Sequence, residues 1–170
     1  MMRRRAAGAP VQVPVDIPVD IAVGDEQDDV AIDTAVLAAL AGSVLAAEGV
    51  HGPAELTLTF VDETEMAELN GTHMGETGPT DVLAFPLDDP AEVRPEGMTA
   101  LLGDVVVCPA VARRYATEHG RSTEHELALL VVHGVLHVLG HDHAETDEAA
   151  VMREHELRHL RAFVDPAFDR

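Results

Sequence analysis

Residues 122–140 form a helical pattern with almost no polar face, and this pattern sets the architecture around it. Ser122 is a suitable N-cap and Gly140 a suitable end. The apolar positions between them include Leu127, Leu130, Val131, Val135 and Leu136. A helix that is apolar on nearly every side is stable only when other elements cover it. We therefore expect this helix at the centre of the molecule.

The other apolar patterns alternate between strand and helix spacing. Period-two or continuous apolar runs predict strands at 15–23, 55–61, 82–85 and 101–107. Helical spacing with capping residues predicts helices at 33–49, from Asp62 over Met66 and Leu69, and at 109–119, 122–140 and 145–163, with 70–80 as a loop. The order β-α-β-α-β-β-α-α-α predicts an α/β (α+β) fold, with a small mixed sheet of about four strands covered by helices. Residues 1–14 are expected to be a flexible arm and residues 15–170 a single domain.

Charge is distributed unevenly along the chain. The 170 residues contain 11 Arg, no Lys and 31 acidic residues, for a net charge of −20. Residues 6–93 hold 18 of the acids and no base, so this part repels polyanions whereas the second half does not. Cys108 is the only cysteine, so no disulfide can form within the chain, which favours a reducing, cytoplasmic location. Its apolar neighbours predict that Cys108 is a small buried hydrophobe. No segment approaches the roughly 20 apolar residues of a membrane span, so no membrane partner is expected.

The sequence HGVLHVLGHDH at residues 133–143 is the pattern most specific for chemistry. His133 and His137 are four residues apart and project from one helix face, so both imidazoles can bind one ion. Gly140 can take a left-handed conformation and turn the chain back, so that His143 supplies a third nitrogen. Three protein nitrogens leave one tetrahedral position open, as in a catalytic zinc site. We therefore expect one zinc ion per chain.

The remaining polar residues of this region carry weaker signals. Asp142 is a candidate acceptor that would orient a ligand imidazole, while His141 is equally consistent with plain surface. His155 and His159 are also four residues apart, but they lie among charged residues of the predicted last helix. We interpret them as part of a solvated face.

The spacing H-x3-H-x5-H is also that of metzincin metallopeptidases, which gives a competing function. In those enzymes a Glu follows the first histidine and serves as general base, whereas this chain has Gly134. We expect a side chain at this position to project into the site beside the metal. A zincin-like site on the central helix without that Glu disfavours a peptidase, and the sequence identifies no other general base.

Two further segments accompany the histidine motif, TDVLAFP at 80–86 and LLGDVVVCP at 101–109. All three resemble, in order, the motifs of the YbeY endoribonuclease family, over about residues 55–155. The resemblance implies a cytoplasmic, single-strand-specific, zinc-dependent endoribonuclease that processes rRNA during ribosome maturation, with His133, His137 and His143 as metal ligands. It also implies single-stranded RNA or rRNA and the small ribosomal subunit or its assembly factors as partners, and no DNA.

The chain departs from that family at a position that matters for phosphate chemistry. Many members carry an Arg about six residues before the strand motif, where this chain has Met74. Because a phosphodiester transition state favours a cation beside the metal, we expect Arg113 and Arg114, or Arg121, to replace it. Ordinary solvated helix charges are the alternative interpretation of these arginines. The acidic composition also leaves open a zinc-containing ribosome-assembly factor without catalytic turnover.

Overall fold

The computed structural model describes residues 17–141 and 145–169. Within these ranges the elements follow the predicted order: β1 (Asp20–Glu26), α1 (Thr34–Ala47), β2 (Ala54–Val61), α2 (Glu63–Met74), β3 (Val82–Pro86), β4 (Ala100–Val107), α3 (Pro109–Glu118), α4 (Thr123–Val138) and α5 (Thr146–Phe163). The predicted arm at residues 1–14 lies outside the described residues.

The four strands form one mixed sheet in the order β1-β2-β4-β3, which confirms the predicted fold class. β1, β2 and β4 run parallel, and β3 pairs antiparallel with β4, with Val82 opposite Val107. Where this pair ends, Gly103 has a φ of +147°, and a Cβ there would lie 2.3 Å from the carbonyl oxygen of Phe85. Only glycine permits this approach of the two strands. In the strand order of the described sheet, β3 is an edge strand.

The core lies on both faces of the sheet because alternate strand residues point to opposite sides. The larger cluster joins one face to α1, α4 and α5, and includes Leu45, Leu58, Phe60, Val105, Val131, Leu136 and Leu160. A smaller cluster joins the other face to α2 and α3, and includes Val61, Met66, Leu83, Val106 and Val111. The predicted helices thus cover the sheet on two sides.

The predicted position of α4 at the centre is confirmed. Eleven of its 16 residues are buried, and it packs on β3, β4, α1, α3 and α5. The apolar residues of α4 therefore form part of the protein interior.

In the described part of the chain, no helix has the combined length and apolar character that crossing a membrane requires.

The predicted helix starts are also confirmed. The side chains of Asp33, Asp62 and Ser122 each accept a hydrogen bond from a backbone N–H three residues further on, at 3.1, 2.9 and 3.1 Å. These bonds satisfy amide groups that a helix leaves unpaired in its first turn. Local chemistry therefore fixes where α1, α2 and α4 begin.

The largest differences from the prediction are at β1 and at the end of α2. β1 begins at Asp20, whereas the predicted strand begins at residue 15. β1 ends at Glu26 rather than at residue 23, because backbone pairing with β2 continues to the Glu26–Val61 pair despite the polar side chains of this edge strand. α2 continues to Met74, so part of the predicted loop at 70–80 is helical. Its polar last turn is held by tertiary contacts: Asn70 is buried and donates to the carbonyl of Gly78 at 2.9 Å. The helix ends where Gly75 adopts a left-handed conformation.

Candidate active site

His133 and His137 lie in the C-terminal half of α4, and both side chains are partly buried. Their spacing of four residues places the rings on one face of the helix, with centroids 4.5 Å apart. The two Nε2 atoms converge to 3.0 Å. Two nitrogen ligands on a tetrahedral zinc ion are about 3.3 Å apart, as follows from Zn–N bonds of about 2.0–2.1 Å. The pair therefore has the separation needed to hold one ion between its Nε2 atoms.

Behind His133 lies a buried carboxylate that the sequence analysis missed. Glu156 of α5 has a fully buried side chain, and its Oε1 accepts a hydrogen bond from Nδ1 of His133. In a neutral imidazole whose Nδ1 carries the proton, Nε2 keeps its lone pair. A carboxylate in this position orients a metal-binding histidine and raises its basicity. Glu156 therefore lies where a carboxylate would support a metal-binding histidine.

A signal for Glu156 was present in the sequence. Met152, Glu156 and Leu160 are spaced by four residues, and all three are buried on one face of α5. A Glu inside the apolar stripe of an amphipathic helix requires a partner, because an unpaired buried charge is strongly unfavourable. The sequence indicates that need, whereas the identity of the partner depends on how α5 packs against α4.

The third predicted ligand, His143, lies outside the described residues, as does Asp142. Its role remains a prediction. The donor set that is described, two imidazoles with a buried carboxylate behind one of them, fits zinc chemistry.

The expectation for Gly134 is wrong. Gly134 is buried against the sheet, and a Cβ on it would lie 2.5 Å from Cγ1 of Val105 and 3.4 Å from Cγ2 of Val82. A side chain here would clash with β4 rather than project into the site. The glycine is needed because α4 packs closely on the sheet, so its presence by itself carries no information about a general base.

The candidate arginines lie on or near α3 and have acidic or carbonyl neighbours. Arg113 donates to the carbonyl of Asp29 at 3.1 Å, and Arg114 forms an ion pair with Glu63 at 2.5 Å. The hydrogen bond to Glu63 raises the pKa of Arg114. Both arginines are exposed, so a phosphate can still reach them. Their role in RNA binding remains a prediction.

Two other positions were considered for phosphate binding, and neither offers an accessible cation: Arg121 is largely buried and Met74 is uncharged. Arg121 is largely buried beside Glu126, with Nε 3.1 Å from Oε2. Met74 ends α2, and about half of its surface is exposed.

The interpretation of His155 and His159 as a solvated face is wrong. The side chain of His159 is only 2% exposed, and both rings contact Glu48 at the end of α1. His141 is also held in place, because its ring lies 4.7 Å from that of His155. The sequence pattern of α5 could not show that α1 would bring a carboxylate to this face.

Comparison with known proteins identifies the family. The sequence profile described as Endoribonuclease YbeY matches residues 22–164, which include His133, His137 and Glu156. The chain belongs to the endoribonuclease YbeY family. Endoribonuclease YbeY of Acidothermus cellulolyticus is 50% identical over 124 residues, covering 69% of this chain and 76% of the relative. That of Beutenbergia cavernae is 47% identical over 137 residues, covering 79% and 91%.

A solved structure supports the fold of this YbeY family member. The solution structure of TM1509 from Thermotoga maritima matches 88% of this chain and 97% of its own, with a TM-score of 0.54 and 25% sequence identity. Family members bear the name endoribonuclease, which denotes hydrolases that cut RNA phosphodiester bonds. The resemblance inferred from the three motifs is thereby confirmed, and the peptidase alternative is not favoured.

Proposed function

We propose that this protein is a zinc-dependent endoribonuclease that cuts single-stranded RNA during rRNA processing and maturation of the small ribosomal subunit. The observation that carries the proposal is the convergence of the Nε2 atoms of His133 and His137, with Glu156 buried behind His133. In a family of endoribonucleases, such a pair is best explained as part of the reaction centre. Because the proposed substrate is ribosomal RNA, we also propose that the protein is cytoplasmic.

The residues of this chain fit one zinc ion. His133 and His137 would bind it, and His143 is the proposed third ligand, with Asp142 as a proposed hydrogen-bond acceptor for one of the imidazoles. When bound, zinc supplies a Lewis acid that activates water and stabilises charge on the scissile phosphate. Glu156 contributes by holding the proton on Nδ1 of His133, which keeps Nε2 directed at the ion.

Substrate binding depends on cations that compensate for the acidic charge of the chain. Arg113 and Arg114 are the proposed phosphate contacts, and both are exposed on α3. With a net charge of −20, the protein repels RNA at long range. A partner on the ribosomal small subunit, or an assembly factor, would therefore deliver the RNA strand. DNA is not a proposed substrate.

The decisive experiment compares zinc-loaded and chelator-treated protein on single-stranded RNA, duplex RNA of the same sequence, and casein. We expect only the zinc-loaded protein to cut, and only single-stranded RNA. The variant His137→Ala should lose zinc and cleavage together, whereas His119→Ala, which alters an exposed histidine at the end of α3, should keep both.

Four results would contradict the proposal. Casein hydrolysis by the zinc-loaded protein would indicate a peptidase. Cleavage of RNA that survives chelation, or a full zinc content in His137→Ala, would exclude the proposed metal centre. Zinc-dependent RNA binding without any cleavage would indicate an assembly factor.

A further inference from the structure

A second group of ligating side chains lies between the end of α1 and α5. Oε1 of Glu48 lies 2.6 Å from Nε2 of His159 and 3.2 Å from Nδ1 of His155. One ligand atom from each of the three residues lies within 4.8 Å of the other two. Carboxylate oxygens and imidazole nitrogens are both ligands of zinc, and around a tetrahedral ion they are about 3.3 Å apart. Small side-chain shifts would therefore place all three on one ion.

The burial of the group suits a bound ion. The side chains of Glu48, His155 and His159 are 13%, 24% and 2% exposed. Two imidazoles are thus held against a carboxylate with little water around them, and the more exposed His155 leaves a way in from solvent. Burial raises the pKa of Glu48, but hydrogen bonds from His159 and His155 outweigh it and leave that pKa lowered.

A positively charged group already contacts two members of this cluster. Nη2 of Arg158 lies 3.1 Å from Oε1 of Glu48 and 3.1 Å from Nδ1 of His155. A guanidinium can only donate, so Arg158 and Glu48 compete for Nδ1 of His155: the nitrogen accepts from Arg158 when it is unprotonated and donates to Glu48 when it carries a proton. The side chain of Arg158 is 59% exposed and can move into solvent. The arginine therefore stands where a metal cation would bind the same two atoms.

A fourth side chain approaches from the end of α4. Nε2 of His141 lies 3.7 Å from Oε2 of Glu48, the second oxygen of the same carboxylate. The His141 ring also lies 4.7 Å from that of His155. Imidazole nitrogen is a ligand of zinc, so the surroundings of the cluster offer a further nitrogen.

We propose that Glu48, His155 and His159 form a second metal site, separate from the His133–His137 pair, which takes a divalent transition-metal ion of the zinc class and joins α1 to α5. Two nitrogens and one carboxylate oxygen are a donor set of zinc, and cobalt replaces zinc in such sites. A plain network of hydrogen bonds around Glu48 is the alternative, and it predicts no metal binding at these residues.

The test is a titration of the untagged, metal-free full chain with Co²⁺, followed by visible absorption and by mass spectrometry under native conditions. We expect wild-type protein to bind about two ions, and Glu48→Gln or His155→Ala to bind about one. The control His119→Ala should bind two. His137→Ala should also bind one ion, held by the Glu48 cluster. The double variant His137→Ala/His155→Ala should therefore bind none.

Removing the competing cation supplies a second test. Arg158→Ala should tighten binding of the second ion by at least about tenfold, because a like charge no longer occupies its place. Arg153→Ala, an exposed arginine on the same helix, should leave both affinities unchanged.

Outcomes of the two tests separate this proposal from the function proposed above. A wild-type protein that binds only the His137-dependent ion, equal metal content in Glu48→Gln, His155→Ala and wild type, or an unchanged affinity in Arg158→Ala would each overturn the second site. Absence of the His137-dependent ion alone would contradict the zinc centre of the nuclease and leave the Glu48 site intact.

Discussion

Single residues decide whether the histidine pair can bind metal, and Glu156 is the clearest case. We expect Glu156→Gln to lower zinc affinity by about 10- to 100-fold, because an amide cannot supply the negative charge that raises the basicity of His133. Competition with a chelator measures that affinity. The control is Glu154→Gln, an exposed carboxylate on the same helix that should have no effect. Equal zinc affinity in Glu156→Gln and wild type would show that the carboxylate does not act through His133.

Adding one methyl group at Gly134 tests how closely α4 packs on the sheet. Gly134→Ala should be destabilising, because its Cβ would overlap Val105, and overpacking costs about 1–3 kcal/mol against the ~1 kcal/mol that alanine gains in a helix. The matched control is Gly42→Ala in α1, where the nearest atom to the new Cβ, Cγ1 of Ile21, is 4.0 Å away. That variant should be more stable than wild type. Thermal unfolding compares the two, and a stabilised Gly134→Ala would refute the packing argument.

At this scale the sequence predicts partners that are local and misses those that are distant. The spacing of His133 and His137 is enough to place both rings on one face, and the caps Asp33, Asp62 and Ser122 act within three residues. Whether position 134 faces the sheet or the site depends instead on the rotation of α4 against the sheet, which no local pattern specifies.

Among the elements, the last turn of α2 depends most on tertiary contact. Asn70→Ala removes the hydrogen bond from its buried amide to Gly78, so we expect a loss of about 1 kcal/mol. For a chain of this size, that loss lowers the Tm by about 3 °C. Thr72→Ala, an exposed position on the same helix, is the control. Equal Tm values for Asn70→Ala and Thr72→Ala would show that the last turn of α2 holds without this bond.

The same contact explains why the element boundaries were predicted unevenly. Strands β3 and β4 follow from apolar runs that end at Pro86 and Pro109, both visible in the sequence. The polar residues of the last turn of α2 predict a loop, and only the bond from Asn70 to the chain beyond Gly75 shows why they are helical. Local propensity was overruled by a contact over eight residues.

For the whole molecule, the acidic charge is the property that most affects RNA binding. Replacing both Arg113 and Arg114 by Ala should keep zinc but weaken RNA binding and flatten its salt dependence, by about 0.7 in the logarithmic slope for each lost phosphate contact. Filter binding at several salt concentrations measures the slope, with Arg153→Ala as control. Since Glu63 pairs with Arg114, Glu63→Gln should tighten binding. A slope unchanged in the double variant would place the RNA elsewhere on the surface.

At this largest scale the fold class and the order of elements along the chain follow from the sequence, because periodicity and connection order limit the possible layers. The order of the strands in the sheet was not predicted. The position of charges relative to one another does not follow. Arg113 and Arg114 were selected because they carry charge in the second half of the chain, and only the folded structure shows Asp29 and Glu63 beside them.

The contact between Glu48 and His159 has a consequence for the order of folding. These residues are 111 positions apart in the chain, so their bond can form only after α5 has packed beside α1. Closing so long a loop costs conformational entropy that later contacts must offset. We expect a contact that closes so long a loop to form late, and groups that meet late slow unfolding more than they speed folding. We therefore expect the histidines of α5 to affect how long the folded molecule persists more than how fast it forms.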